Sequence, residues 1–563
     1  MDLANLSSTL DEFVEKSNGL WQKSAFGVTR AERQIFVILD HQAYSQNKLK
    51  HKILLVSGLT GSSGDVGLTF DALDRFRSLD PELIDDISLS AIPCVNPGGL
   101  TLNSSPSNGS GGFANTGYPP KSGFFDDKYS PESRYLWRFT CYLAPDIVIE
   151  LVEGSKVEWK GNIIGLELLP SLVKNPVKEQ DSFVASLGEI TPGSPGTIPA
   201  LRLTTSKEML NSALSDLFSI IRKNDPIPSS ASKNLDKRSS RSILQVGKDL
   251  SKTNGRTLNP LIYTQGVAVS GRLRLAEIDV SMLREIEDIK SLVTPVLESP
   301  IEMLGSCPEA PELAAVVWTE EMKSLYGDSE YDELAVTAAN YINQKGKCIP
   351  PGPLNPNYIV EDFFFASAVL GRAYQATQDI KYIDILVQFL LDSNIQEPSG
   401  LFPHSRYGKL HWGRGNGFAA MGLAETLTYI PDIHPKRDLI KEMATRQLES
   451  LKCFQKPSGM YSQVIDFEGS YEELTATCMI GYSAARGINR RWLDRSFDSL
   501  VERAWYAVSR RIDFNGNVVD GCTGTGVMDN LRSYLDRPAN SGYDDRTGSL
   551  ALWFTSEMAY FSK

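Results

Sequence analysis

The chain has 563 residues, with 57 Lys+Arg against 69 Asp+Glu and a net charge of -12; at roughly 100–200 residues per domain, that length predicts more than one core. Hydrophobic residues at 41% and charged residues at 22% exclude a disordered or fibrous chain. The acidic balance, with no Lys/Arg stripe interleaved with aromatics, argues against nucleic acid as a partner.

The first residues, Met1-Asp-Leu-Ala-Asn-Leu, carry an acid where a signal peptide needs positive charge, and no apolar segment follows before Glu12 and Lys16. No apolar run approaches the roughly 20 residues that span a bilayer, so no membrane partner is expected. The cysteines at 94, 141, 307, 348, 453, 478 and 522 are scattered, odd in number and without a Cys-x-x-Cys pair. They fit free thiols in a reducing, cytoplasmic setting.

Up to about residue 300, short β-rich runs alternate with helical ones. Gln34–Leu39, Lys52–Ser57, Ile87–Val95, Ile147–Val152 and Leu201–Leu203 read as buried strands bounded by Gly, Pro and Asn. This pattern predicts an α/β domain over residues 1–300, with helices covering a mostly parallel sheet. Asn103–Gly117 and Ser229–Arg256 read as long polar loops. Beyond Glu309, helical periodicity takes over in Asp362–Thr377, Tyr382–Asp392, Gly417–Tyr429, Asp438–Cys453, Thr475–Arg486 and Leu500–Ile512, and predicts an all-α domain over residues 305–563. A Pro-rich segment, Cys348–Asn357, leads into the first of these helices. Helices there end in a recurring turn: Pro-Ser-Gly-Leu-Phe at 398–402, Pro-Ser-Gly-Met-Tyr at 457–461 and, more loosely, Phe-Asn-Gly-Asn-Val at 514–518. That repeat argues for stacked helical hairpins, open or closed into a ring.

In the first half, His41 and His51 read as structural. Gly58, Gly61 and Gly64 match neither common phosphate-binding fingerprint. Asp65, Asp146, Glu150 and Glu153 are placed to gather at strand ends, where α/β sites form, although acids there more often cap or solvate. Val56-Ser-Gly-Leu-Thr-Gly-Ser-Ser-Gly, Ile92-Pro-Cys-Val-Asn-Pro-Gly-Gly, Asn115-Thr-Gly-Tyr-Pro, Pro131-Glu-Ser-Arg-Tyr-Leu-Trp and Pro145-Asp-Ile-Val-Ile-Glu-Leu-Val together resemble, in order, landmarks of the zinc carboxypeptidase and deacylase family. Where that family has its metal-binding His and Glu, this chain has Thr60 and Ser63, and Val152 replaces the third ligand. Zinc needs three or four N, O or S donors, so neither a metal nor any other cofactor is expected. The family's carboxylate-binding Asn-Arg pair appears as Asn115-Thr116, and Thr204 and Thr205 stand where its general-base Glu is expected.

The string His411-Trp-Gly-Arg-Gly-Asn-Gly-Phe-Ala-Ala-Met-Gly-Leu-Ala-Glu is the most informative in the second half. Aromatics offer stacking surfaces for sugar rings, and Arg414 offers a fork to a carboxylate. Together these point to an anionic sugar; the alternative is a tight loop entering a buried helix, with Arg414 paired to an internal acid. Trp412-Gly-Arg-Gly-Asn-Gly-Phe, Pro457-Ser-Gly-Met-Tyr, Ser470-Tyr-Glu-Glu-Leu-Thr-Ala-Thr, Arg486-Gly-Ile-Asn-Arg-Arg-Trp-Leu-Asp, Gly521-Cys-Thr-Gly-Thr-Gly and Tyr534-Leu-Asp-Arg-Pro resemble the unsaturated glucuronyl and rhamnogalacturonyl hydrolases, glycoside hydrolase families 88 and 105.

The resemblance implies an α/α barrel that removes a terminal unsaturated uronic acid from oligosaccharides. An acid protonates the vinyl ether, water adds and the hemiketal collapses. One family acid aligns with Glu361 or, by a one-residue slip, Asp362. The principal Asp of the family falls at Tyr407, after Gly400-Leu-Phe-Pro-His404, and Arg546 stands where the family tends to have His. The resemblance therefore implies Glu361, Asp362, His404 and Tyr407 as catalytic candidates, and His411, Trp412, Arg414, Asn416, Phe418, Glu473 and Arg537 as substrate-binding ones. Three readings stay open: hydration by Glu361 or Asp362 with His404 assisting, a uronide lyase using Tyr407, His404 and Arg414, or an inactive sugar-binding protein. The stretch beyond Glu309 is short for six helical hairpins, so a shortened barrel is expected.

Overall fold

The computed structural model describes residues 3–45, 50–102, 105–121, 124–191, 193–223, 225–343 and 349–561. Cys348, and residues 103 and 104 of the expected loop, lie outside them. The chain divides into two units. The first ends at Lys237 and takes in Phe467–Tyr471 and Leu535–Pro538; the second comprises Arg238–Asp466, Glu472–Tyr534 and the chain from Ala539 onward.

The first unit is built on an eight-stranded sheet: β1 (Trp21–Val28), β2 (Gln34–Asp40), β3 (His51–Ser57), β4 (Ile87–Ile92), β5 (Ile147–Glu153), β6 (Glu158–Gly161), β7 (Asn175–Pro176) and β8 (Ala200–Thr205), in the order β1-β2-β4-β3-β5-β8-β6-β7. The four central strands, β4-β3-β5-β8, run parallel. Pairings β1–β2, β2–β4 and β6–β8 are antiparallel, so the sheet is parallel at its centre and mixed at its margins. Ile53–Val56 and Ile147–Ile149 are buried along their length because helices cover both faces. Phe76 of α2 (Ser63–Arg77) and Leu214 of α4 (Lys207–Arg222) join Leu55, Leu89 and Leu203 in one core, with α1 (Leu3–Glu15) and α3 (Pro131–Leu143) also in this unit.

Within this unit Thr60 Oγ1 donates to Asp65 Oδ2 (3.3 Å), and the backbone N–H of Glu153 donates to Asp65 Oδ1 (2.7 Å). Glu150 pairs with Arg202 at 2.7 Å. Burial, which outweighs these hydrogen bonds, lifts the Asp65 carboxyl to about 6. Asp146 does not join this group: it immediately precedes β5 and accepts from Lys52 N at the other end of the strand. Among the described residues, no group of three or more His, Cys, Asp or Glu side chains is placed to hold a metal ion.

The second unit starts well before the expected boundary near residue 305. Its inner helices are α6 (Tyr263–Ile278), α7 (Thr319–Tyr326) with the short turns at 310–316 before it, α9 (Glu361–Thr377), α11 (Gly413–Tyr429), α13 (Leu474–Asn489) and α15 (Asp545–Phe561). Each packs on the next, and α15 packs back on α6, so among the described residues the ring is closed. The expected shortening of the barrel is corrected, because α6 supplies the missing inner helix. Its residues from Tyr263 to Ala276 are all buried, and a helix buried on every side carries no amphipathic stripe to announce it. Around the ring lie α5 (Ile243–Ser251) on α15, α8 (Glu330–Asn340) and α10 (Lys381–Ser393) on α9, α12 (Arg437–Phe454) on α11 and α14 (Asp498–Arg510) on α13.

The polar stretch Ser229–Arg256 is thus not a loop: it holds helix Ser230–Ser239 and α5, whose Val246 and Leu250 face the core four residues apart. The repeated turns explain the closure. Gly400, Gly459 and Gly516 adopt φ of 93°, 88° and 80°. A Cβ on them would meet the carbonyl oxygens of Arg446 in α12, Arg503 in α14 and Asp249 in α5 at 2.6, 2.3 and 2.3 Å. Only glycine accepts both the backbone angle and the contact. The third turn closes the series by docking on α5.

Candidate active site

The inner helices α6, α9, α11, α13 and α15 run parallel, whereas α7 starts at their far end, where Tyr429 bonds Glu320. At one end, Thr264 Oγ1 (2.8 Å) and Gln265 Nε2 (3.1 Å), at the start of α6, donate to Asp545, the first residue of α15. At the other end, Arg274 of α6 bonds Tyr482 of α13 (3.1 Å), whose hydroxyl donates to Glu425 of α11 (2.6 Å). The helix N-termini therefore converge, and their partial positive charges favour an anionic ligand there. Tyr263, Glu361, Arg414 and Arg546 sit in the first turns of α6, α9, α11 and α15, and Glu473 caps α13.

Glu361 is the best-supported carboxyl in this group. His404 Nε2 lies 3.2 Å from Glu361 Oε1, and His404 Nδ1 lies 2.6 Å from the Tyr534 hydroxyl. Met528 N–H donates to that same hydroxyl (3.2 Å), which turns the phenol proton towards Nδ1. The network therefore sets the tautomer: Nδ1 accepts from Tyr534, and Nε2–H donates to Glu361. Burial pushes the Tyr534 phenol up to about 12, which keeps it a donor. Glu361 Oε2 makes no hydrogen bond. Asp362 does not join it; one residue on, it faces Asn355, whose N–H donates to Oδ2 (2.6 Å), and burial lifts its carboxyl to about 7.

Arg414 donates to Cys522 O (3.3 Å) and interacts with Tyr263, Glu473 and Glu361. Burial alone would lower its pKa; these groups reverse that and hold the guanidinium charged. Glu473 is fully buried, and burial raises it to about 7 despite Arg414; Oε1 accepts from Ala476 N (2.8 Å) while Oε2 makes no hydrogen bond. Tyr263 reaches both Arg414 and Arg546, and its hydroxyl engages the Arg546 guanidinium. Sequence reasoning did not single out Tyr263 or the role of Tyr534, and noted Arg546 only as a departure.

Several sequence candidates stand elsewhere. Trp412 offers no stacking surface: it is 0% exposed, with the His404 ring 4.4 Å and the Arg414 guanidinium 4.6 Å from its own. Phe418 lies in the core against Tyr263, Phe364 and Phe365. Asn416 is buried and pins the repeat turn, accepting from Phe402 N and donating to Phe402 O, both at 2.9 Å. His411 is clamped between Asp466 (2.8 Å) and Glu397 (3.0 Å). Burial alone would lower its pKa, but these two carboxylates raise it. Tyr407 is 73% exposed, and Ser405 Oγ accepts from its backbone N–H. Arg537 belongs to the segment that clusters with the first unit.

The Glycosyl Hydrolase Family 88 model matches residues 398–561. The unsaturated rhamnogalacturonyl hydrolase YesR of Bacillus subtilis is 25% identical over 235 residues, which is 38% of this chain and 66% of that protein. The unsaturated 3S-rhamnoglycuronyl hydrolase of Alteromonas sp. is 28% identical over 170 residues, covering 28% of this chain and 41% of that one. The chain therefore spans at most about two thirds of these relatives. Among solved structures, a glycoside hydrolase from family 105 of C. acetobutylicum superposes with TM-score 0.48 at 15% identity, covering 54% of this chain and 94% of its own. A metallo-carboxypeptidase from Burkholderia cenocepacia superposes with TM-score 0.31 at 12% identity, covering 38% and 68%.

Proposed function

We propose that the helical unit is a glycoside hydrolase that removes a terminal unsaturated uronic acid from oligosaccharides, with Glu361 as the acid. The observation that carries this reading is the Tyr534–His404–Glu361 chain. It fixes one carboxylate oxygen by a hydrogen bond and leaves the other without a partner, close to Arg414, at the convergent N-termini of the ring. Glu361 Oε2 delivers a proton to the vinyl ether carbon, water adds to the resulting oxocarbenium ion and gives its surplus proton back to the Glu361 carboxylate, and the hemiketal collapses to release the sugar. Arg546, half-buried and engaged by Tyr263, takes the substrate carboxylate together with the positive ends of the helices. His411 and Glu473 hold the surrounding loops and Arg414. The relatives' names support the substrate class.

A lyase role for Tyr407 is disfavoured by its exposure, which leaves it outside the group formed by Glu361, His404 and Arg414. Six of the cysteines are free, and no described helix is long and apolar enough to cross a membrane; both fit a cytoplasmic setting.

The test is to incubate the protein with lyase-generated unsaturated oligouronides and follow their ultraviolet absorbance. Loss of the signal, reduced about 10²–10⁴-fold in Glu361→Gln, is expected. A gain of signal on saturated polymers would establish a lyase instead, and full activity in Glu361→Gln would remove Glu361 from the acid role.

A further inference from the structure

Two short segments from the helical half of the chain, Phe467–Tyr471 and Leu535–Pro538, belong to the first unit. Each is covalently next to a residue of the site described above: Glu473 follows Tyr471 by two residues, and Asp536 follows Tyr534 by two. The first unit therefore holds the chain immediately beside the cap of α13 and beside the phenol that sets the His404 tautomer.

Within the first unit, both segments are fixed by specific contacts. Ser24 Oγ, on β1, donates to Glu468 Oε1 (2.5 Å), and the Gly469 N–H donates to Gln34 Oε1 (2.8 Å) at the start of β2. The Phe125 ring stacks on Tyr471, with centroids 4.9 Å apart and planes 2° from parallel. A Cβ on Gly469 would meet Gly27 O at 2.6 Å, so this segment packs backbone against backbone. Arg30 lies in the turn between β1 and β2, which is closed by the Thr29 N–H donating to Arg33 O (2.9 Å) and the Arg33 N–H donating to Thr29 Oγ1 (3.2 Å). It presents two nitrogens to Asp536, Nη1 to Oδ1 and Nη2 to Oδ2, the second at 3.2 Å. A two-point fork of this kind fixes orientation as well as distance.

Stability gives this pair little to do. The Arg30 and Asp536 side chains are 20% and 35% exposed, and ion pairs that water reaches contribute little to folding. Geometry gives it more. Tyr534 stands in the short helix Leu531–Leu535, where Gln463 Nε2 donates to Tyr534 O (2.5 Å) as one anchor. The Arg30 fork, two residues on, supplies a second anchor, and two anchors stop the helix pivoting about either one.

We propose that Arg30 is a positioning residue of the hydrolase: through Asp536 it fixes Tyr534, and with it the His404–Glu361 pair. The proposal rests on the hydrolase reading above and assigns the first unit a part in the reaction. Arg30→Ala and Asp536→Asn, in the full chain, are assayed on lyase-generated unsaturated oligouronides. Each should lower kcat at least about tenfold, with KM within about twofold and the near-ultraviolet circular dichroism unchanged, because a displacement of about 1 Å at a reacting group costs about 10²-fold. In a Tyr534→Phe background, Arg30→Ala should cost at most about twofold more, since its effect runs through that hydroxyl. A second readout needs no turnover. With nitrogen-15 in the histidine rings and His404 assigned through His404→Gln, the His404 signals should report the Nε2–H tautomer, and a mixture of tautomers in Arg30→Ala. A silent unsubstituted protein would remove the hydrolase reading and leave the tautomer measurement to decide this one. An unchanged kcat or tautomer in both variants, or a full additional loss in the Tyr534→Phe background, would overturn the proposal. Loss of the near-ultraviolet spectrum in both variants would overturn it too, by making the pair a folding element.

Discussion

Glu425 holds two guanidiniums in the interior of the ring, and its removal has a calculable effect. The carboxylate is 0% exposed, 3.1 Å from Arg486 and 3.4 Å from Arg372, and accepts from Tyr482 at 2.6 Å. Burial alone would raise its pKa, but Arg486, Arg372 and Arg274 outweigh it and lower the carboxyl from 4.5 to about 2. A depressed pKa contributes stability that is fully present above the unfolded value of 4.5 and lost as pH falls through about 2. A difference of that size corresponds to about 3 kcal/mol. Breaking a buried pair costs about 3–5 kcal/mol, so two independent routes agree. Urea unfolding of Glu425→Gln, followed by tryptophan fluorescence, should show a loss of about 3 kcal/mol at pH 7. Trp553 reports directly, since Tyr482 stacks on it and Arg274 lies over its ring. The difference from the unsubstituted protein should shrink as pH falls from 4.5 towards 2, where Glu425 itself takes a proton. A loss below about 1 kcal/mol at pH 7, or one that does not change over the acid range, would refute the reasoning.

Tyr534→Phe removes the hydroxyl 2.6 Å from His404 Nδ1 and leaves a buried acceptor without its donor. Unfolding should show a loss of about 1–3 kcal/mol, and initial rates on an unsaturated oligouronide should fall while KM holds, because the phenyl ring stays and only the tautomer of His404 is released. His411 behaves with the opposite sign to Glu425. Its raised pKa contributes stability that is fully present below the unfolded value of 6.5 and lost as pH rises through the folded value. His411→Gln should flatten the alkaline limb of the stability profile, which thermal unfolding at a series of pH values would check; an unchanged limb would show that Glu397 and Asp466 do not act through His411.

The two-part architecture was legible because its signals are local. Apolar runs such as Ile53–Val56 mark strands buried on both faces, and the glycine turns at 400, 459 and 516 mark one repeated backbone geometry. The edge strand β1 was not legible: Trp21-Gln-Lys-Ser-Ala-Phe-Gly-Val mixes polar and apolar residues without strict alternation. Among the site residues, Glu361, His404 and Arg414 were identified by motif, and the structure brings them together. Trp412 and Phe418 belong to the same motif and were offered as stacking surfaces for a sugar, but both are buried, since a motif fixes neighbours along the chain and says nothing of which face is covered.

The chain by itself determined the fold classes, the helical repeat and the helix-start position of Glu361. Only the tertiary structure decided that the ring closes through α6, that Asp362 turns away from Glu361, and that Tyr534 orients His404 from 130 residues away. The physical reason is that a helix buried on every side has no periodic stripe to read. A hydrogen bond between distant residues likewise leaves no pattern in the intervening sequence.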